Sequence, residues 1–304
     1  MPIVECVPNF SEGRREEVIA AILAAAEAVH GVAVLDVHRD PAHNRSVLTL
    51  VGEADAMVEA AFRCAQTAAG LIDMATHRGE HPRMGATDVI PCVPLGDTPM
   101  TACVDLAHRL GRRIGDDLEI PVYLYAEAAT RPERRRLPDV RRPQFEGLQR
   151  LVGSDPVVSP DFGPPRLGSA GATAVGARPF LIAFNVNLAS EDLSIARAIA
   201  RAIRESSGGM RGVQALGMRT PDPSVVQVST NLLDLDATPL LALFEAIQRE
   251  AAARGAKVLG SELVGLIPTA ALAATARQAL ALPTLSATQA VEALALQVML
   301  ERRD

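Results

Sequence analysis

Apolar and polar positions change period repeatedly along the chain, and the changes come twice in the same order. Residues 3–7 read as a short strand. Ser11 and Glu12 then open a helix whose apolar positions Val18, Ile19, Ile22, Leu23 and Ala26 share one face. Residues 32–37 and 45–51 predict two strands joined by the polar segment HRDPAHN. A helix over 54–73 follows, with Met57, Ala61, Phe62, Ala65 and Ile72 as its stripe, then a strand near 89–95, a helix near 99–118 and a strand-like run over 122–125. The second half repeats the order. A strand over 181–187 puts Ile182, Phe184 and Val186 on one side, and a helix over 191–205 comes next. Strands near 212–218 and 224–230, a helix near 236–253 and a strand near 257–267 complete it.

Each half therefore reads β-α-β-β-α-β. This predicts an α+β protein of two βαββαβ-like subdomains, 1–177 and 178–304, each an antiparallel-type sheet with helices on one face. The halves differ at one connection. In the second, helix passes to strand through little more than residues 254–256. In the first, the matching connection is ATHRGEHPRMGAT, 75–87, and a long polar connection where the fold tolerates three residues points to function. Residues 153–178 hold four prolines and five glycines, which suits either a linker between the halves or a loop along a ligand. The run Arg131, Arg134, Arg135, Arg136, Arg141 and Arg142, diluted by Glu133 and Asp139, reads as a solvated face or as a dock for a polyanionic ligand.

Composition narrows the function classes. Of 304 residues, 48% are hydrophobic and 22% charged, a globular balance long enough to need no disulfide staples. A net charge of −6 and an aromatic content of 3% without tryptophan disfavour nucleic-acid binding. Cys6, Cys64, Cys92 and Cys103 lie far apart without a CxxC and read as reduced thiols. The opening MPIVECVPNFSEG lacks a basic n-region and a long apolar core, and no apolar run approaches the roughly 20 residues of a membrane span, so the expected location is cytoplasmic. Lys257 is the only lysine, and no GxxxxGK[ST] or GxSxG occurs. Gly168, Gly171 and Gly176 lack dinucleotide spacing. His77 and His81 stand four apart, but Gly79 between them and Pro82 after them argue against a shared helix face, so no metal is expected. His81 reads instead as a loop imidazole flanked by Glu80 and Arg83, with an ordinary pKa of about 6.5 that suits proton traffic near neutrality; a lone surface histidine is the plainer alternative.

Eight blocks in order, VECVPNFSEG, HNRSVLTLVG, LIDMATHRGEHPRMGATDVIPCVPL, PVYLYAEAA, PDFGP, GATAVGARPFLIAFNVNL, VQVSTNLLD and GSELVGLIP, resemble the glutamate formimidoyltransferase (formiminotransferase) family over residues 3–268. The resemblance implies two α/β subdomains with a ligand tunnel between them, and commonly a homodimer. It implies transfer of the formimino group of N-formimino-L-glutamate to the co-substrate tetrahydrofolate, a step of histidine degradation in one-carbon metabolism. The same resemblance places the catalytic histidine on His81. It places the folate-contacting loop on Gly163, Pro164, Pro165, Arg166, Leu167, Gly168, Ser169, Ala170 and Gly171.

In animals the family is fused to a cyclodeaminase. This chain stops at Asp304 without it, so a separate cyclodeaminase is expected as partner. Two departures stand out: no tryptophan occupies the folate loop, and His38 stands where an aspartate is usual. Both ligands are anionic, and Arg45, Arg83 and Arg178 are candidates for their carboxylates. Glu80 and Asp88 are candidate acids to orient His81. A 5-formyltetrahydrofolate-processing enzyme of the same fold and a folate-binding protein without turnover are the competing readings.

Overall fold

The computed structural model describes residues 2–79 and 82–291. The chain divides into two compact units, Met1–Pro179 and Phe180–Asp304.

The first unit opens with β1 (Ile3–Cys6) and β2 (Asn9–Phe10), two pieces of one interrupted strand, followed by α1 (Glu16–Glu27), β3 (Val32–Asp40), β4 (Arg45–Glu53), α2 (Ala54–Leu71) and β5 (Thr87–Pro94). The sheet order through this part is β3, β4, β1/β2, β5, all antiparallel. In the second unit, β8 (Ile182–Ala189), α6 (Leu193–Ile203), β9 (Val213–Arg219), β10 (Val225–Leu232), α7 (Leu240–Ala253) and β11 (Lys257–Val264) form an antiparallel sheet ordered β9, β10, β8, β11. The two orders superimpose strand for strand, so the repeat seen in the hydrophobic pattern is a repeat of topology. Strict alternation explains the second sheet: Ile182, Phe184, Val186 and Leu188 of β8 and Val226, Val228 and Leu232 of β10 are buried with Ile199, Leu243 and Ile247 of the helices.

The first unit carries an addition that the second lacks. After β5 come α3 (Met100–Asp117), β6 (Val122–Ala126), the short helices α4 (Leu137–Val140) and α5 (Gln144–Leu151), and β7 (Thr173–Ala177). β7 lies between β5 and β6 and runs parallel to both. The glycine- and proline-rich stretch 153–178 thus ends in a central strand, buried at every position. Its residues TAVGA are too small to give a strand signal, but small size is what the place demands. A Cβ on Gly176 would enter the ring of Tyr125 on β6. The helices α4 and α5 cover the opposite sheet face at this end, where Val89, Tyr123, Tyr125, Val140, Leu148 and Ala174 pack together. A further helix, α8 (Thr269–Ala279), buries only Ala271, which is why no apolar stripe announces it.

The arginine run divides: Arg134 and Arg141 turn inward, while Arg135, Arg136 and Arg142 are exposed. Arg134 and Asp161 form an ion pair with side chains 4% and 8% exposed, and the Arg134 guanidinium stacks 5.1 Å from the Tyr123 ring. Arg141 pairs with Asp88, while Arg142 pairs with Asp139 at the surface. The four cysteines, dispersed in sequence, meet in the main core of the first unit, with Cys6 directly opposite Cys92 across β1 and β5. The Cys92 partner and burial push the Cys6 thiol up, and burial alone raises Cys64 to about 12. Among the described residues no helix is long and apolar enough to cross a membrane.

Candidate active site

The oversized connection between α2 and β5 is built by partners far away in sequence. Its first arm is pinned to the turn that joins β3 to β4. Asn44, in the left-handed region at φ 51°, donates from Nδ2 to the Arg78 carbonyl (3.0 Å) and accepts from the Gly13 amide (3.0 Å). The His77 ring reaches the Asn44 carbonyl at 3.2 Å. Gly79 passes so close to the His43 carbonyl that a Cβ there would collide with it.

The second arm is pinned to the folate-loop candidate. Met74 donates to the Ser169 carbonyl (2.8 Å), Ala86 to the Ala170 carbonyl (2.8 Å) and Ala172 to the Met84 carbonyl (3.0 Å). Gly85 and Gly171 form an isolated bridge. Ser11, expected to open the first helix, instead donates its hydroxyl to the Gly85 carbonyl (2.8 Å). Glu12 accepts from the Arg14 and Arg15 amides (2.9 Å each), so α1 begins only at Glu16.

His81 and Glu80, the base and one orienting acid of the sequence reading, lie outside the described residues. The flanking residues define the frame around them. Arg83 is 8% exposed and grips Glu146 of α5 with both Nη atoms, at 3.0 and 2.6 Å, while its Nε donates to His77 Nδ1 at 3.3 Å. Its fork is filled, so a substrate carboxylate would have to displace Glu146 to use it. Asp88, 3% exposed, accepts from the Met84 amide (2.8 Å) and pairs with Arg141. Arg45 donates to the Asn9 side chain, and burial followed by repulsion from Arg141 lowers it to about 10. Asn9 in turn donates to the Val7 carbonyl (2.7 Å), at the place where Pro91 of β5 has no amide to offer. Arg178 donates to the Pro179 carbonyl and lies near Glu5, whose carboxyl is raised by burial against the pull of that guanidinium.

Of the loop candidates, Gly163 is held at φ 79° against Ile120, and Leu167 packs on the core. Gly171 donates to the Gly168 carbonyl (3.1 Å), and Arg166 forms an exposed ion pair with Glu119. Pro165, Gly168 and Ser169 are exposed, Pro164 and Ala170 half-buried. Glu146, Asn44, Asn9 and Arg141 escaped the sequence reading as site residues. Asn9 and Asn44 lie inside the blocks PNF and HNR, but Glu146 sits in an unremarkable helix, and only the fold brings it to Arg83.

The hydrogen bonds assign the tautomer of His77: Nδ1 accepts from Arg83 and Nε2–H donates to Asn44. Burial first and the Arg83 charge second depress its pKa below 6.5. The unfolded chain therefore takes up this proton before the native state does, and stability falls as pH drops below about 6.5 toward the native value. Thermal unfolding at pH 7.5 and 5.5 is expected to show a smaller loss for His77→Asn than for the unaltered chain. An equal loss in both removes His77 from that dependence.

No cluster of three or more His, Cys, Asp or Glu able to hold a metal ion occurs among the described residues. The connection between α2 and β5 is thus fastened to the turn before β4 on one side and to the glycine-rich 163–171 segment on the other. The family model "Formiminotransferase domain, N-terminal subdomain" matches residues 3–178, and "Formiminotransferase domain" matches residues 183–299. The chain belongs to the formiminotransferase family. It is 49% identical over 274 residues to a glutamate formimidoyltransferase of Thermoplasma acidophilum, covering 90% of each chain. To the glutamate formimidoyltransferase of Streptococcus pyogenes it is 46% identical, covering 89% of this chain and 90% of that one. It is also 46% identical to the formimidoyltransferase-cyclodeaminase of Mus musculus, but spans only 51% of that protein.

Proposed function

We infer that this chain is a glutamate formimidoyltransferase, moving the formimino group of N-formimino-L-glutamate to tetrahydrofolate and releasing glutamate. The observation that carries this beyond kinship is the convergence of three separate segments on one loop. The 40–44 turn, the 163–171 segment and α5 all fasten the connection that bears His81.

N5 of tetrahydrofolate attacks the amidine carbon and forms a C–N bond, giving a tetrahedral carbon that bears three nitrogens. The imidazole of His81 takes the proton from N5 and then delivers one to the glutamate nitrogen. That nitrogen leaves as the amine when its C–N bond breaks, and the histidine ends neutral as it began. Holding both substrates in the attacking geometry contributes further. Arg45 and Arg178 are the proposed partners for substrate carboxylates, and the 163–171 segment for folate. Asp88, held by Arg141 and the Met84 amide, supports the frame around the base.

The test is turnover of the purified chain with formiminoglutamate and tetrahydrofolate, following glutamate release. Formation of glutamate that requires both substrates supports the assignment. Saturable folate uptake without product makes the chain a binding protein, and turnover restricted to 5-formyltetrahydrofolate makes it a different folate enzyme.

A further inference from the structure

Glu5 is a charged residue in the middle of a sheet. Its neighbours Val4 and Cys6 point into the main core of the first unit, so alternation along β1 puts Glu5 on the opposite face. Its direct partners across the sheet are apolar, Val51 on β4 and Val93 on β5. The residue is half-buried, and its carboxyl makes no hydrogen bond or ion pair among the described residues. Burial raises that carboxyl, and the pull of Arg178, which follows β7 on the far side of β5, opposes the rise. A partly desolvated carboxylate without donors costs stability, and such a group is explained where a ligand brings the donors.

The rest of the face gives the ligand a direction. Asn9 of β2 shares it, because its neighbour Phe10 lies in the core, and Asn9 accepts from Arg45 of β4. Asn9 lies roughly 13 Å along the sheet from Glu5. It stands at the end where the 75–87 connection is fastened to the 40–44 turn and to the 163–171 segment.

We propose that Glu5 receives the pyrimidine edge of the tetrahydropterin: its two carboxylate oxygens accept from N3–H and the 2-amino group, with Val51 and Val93 flanking the ring. This deepens the reading of the chain as a tetrahydrofolate-dependent transferase and rests on it. A planar N–C–N group with two parallel N–H donors matches a carboxylate in bidentate fashion. With that edge on Glu5, the N5–C6 side of the ring points along the face toward Asn9, and the glutamyl tail toward the 163–171 segment. The amidine of formiminoglutamate is the other N–C–N group in the reaction. It has to meet N5, so it belongs at the opposite end of the ring from Glu5.

Glu5→Gln is expected to raise both KM and Kd for tetrahydrofolate about 10-fold or more, because one acceptor becomes a donor facing donors. KM for formiminoglutamate should stay within about twofold. The melting temperature of the ligand-free chain should not fall, since the substitution removes a desolvated charge that has no partner. A tetrahydrofolate analogue with methyl in place of the 2-amino group should bind the unaltered chain about 10-fold more weakly than tetrahydrofolate, and Glu5→Gln should bind the two nearly alike. Unchanged tetrahydrofolate affinity in Glu5→Gln, or full discrimination against the analogue retained there, overturns the proposal. A rise confined to the KM of formiminoglutamate gives the carboxylate to the amidine and overturns the pterin assignment. A lower melting temperature with both KM values raised together makes Glu5 structural and overturns it too. Folate binding is read by titration without turnover. A chain that binds tetrahydrofolate through Glu5 but releases no glutamate fails the transferase reading alone, and one that binds no tetrahydrofolate fails both.

Discussion

Replacing His81 by alanine is expected to lower kcat by about 10²–10⁴-fold while leaving folate binding nearly intact, the range a positioned proton shuttle supplies. The leaving nitrogen of formiminoglutamate is too basic to depart as an anion, so loss of the group that protonates it falls on the chemical step. Binding is spread over other residues, with Arg45, Arg178 and the 163–171 segment as the proposed contacts, so KM should move far less. Steady-state kinetics with each substrate varied, alongside folate titration of the variant, checks both halves. A variant that loses folate binding in proportion to its rate would make His81 a binding residue, and one that keeps its rate would move the base elsewhere. Glu80→Gln and Asp88→Asn, compared in the same assay, would tell which acid, if either, supports the imidazole.

The largest expected effect on stability lies at the buried pair Arg134–Asp161. Asp161 accepts from the Leu124 amide (2.8 Å), from the Thr130 hydroxyl and from Arg134, and Arg134 also reaches the Val157 and Ser159 carbonyls. Asp161→Ala strands a cation that is 4% exposed and an amide of β6 together. Breaking a buried pair from one side costs about 3–5 kcal/mol, which translates to a fall in melting temperature of roughly 10 °C for a unit of this size. Arg134→Met with Asp161→Asn should recover much of the loss, because it removes the orphaned charge and keeps an acceptor for Leu124. Calorimetry of the two variants checks this, and a shift of only a degree or two in Asp161→Ala would mean that Arg134 finds another partner or reaches water.

The elements that alternation or a helical stripe could announce were readable in advance. The strands β4, β8 and β10 and the helices α2, α3 and α7 fall where their apolar periods put them, within a few residues at the ends. The misplaced or missing elements share a physical cause. The start of α1 moved from Ser11 to Glu16 because Ser11 and Glu12 hold a loop and a turn instead of capping a helix. β7 was hidden because a strand hemmed in on both sides by neighbours can be made of Thr, Ala, Val and Gly, which carry almost no periodic signal. The arginine run looked like a charged surface because charge alone says nothing about direction. Arg134 and Arg141 turn inward since Asp161 and Asp88, distant in sequence, lie beneath them.

The same division applies to the site. The repeat of βαββαβ pattern, the surplus length of the 75–87 connection and the family blocks around it were all properties of the sequence, because local periodicity and spacing survive in one dimension. The circuit Glu146–Arg83–His77–Asn44 was not, nor was the latching of that connection to the 163–171 segment. Apart from the contact between Arg83 and His77, those bonds join residues 33 to 95 positions apart, and only chain reversal through the sheet brings a half-exposed glutamate to a buried arginine and a neutral imidazole to the Asn44 carbonyl.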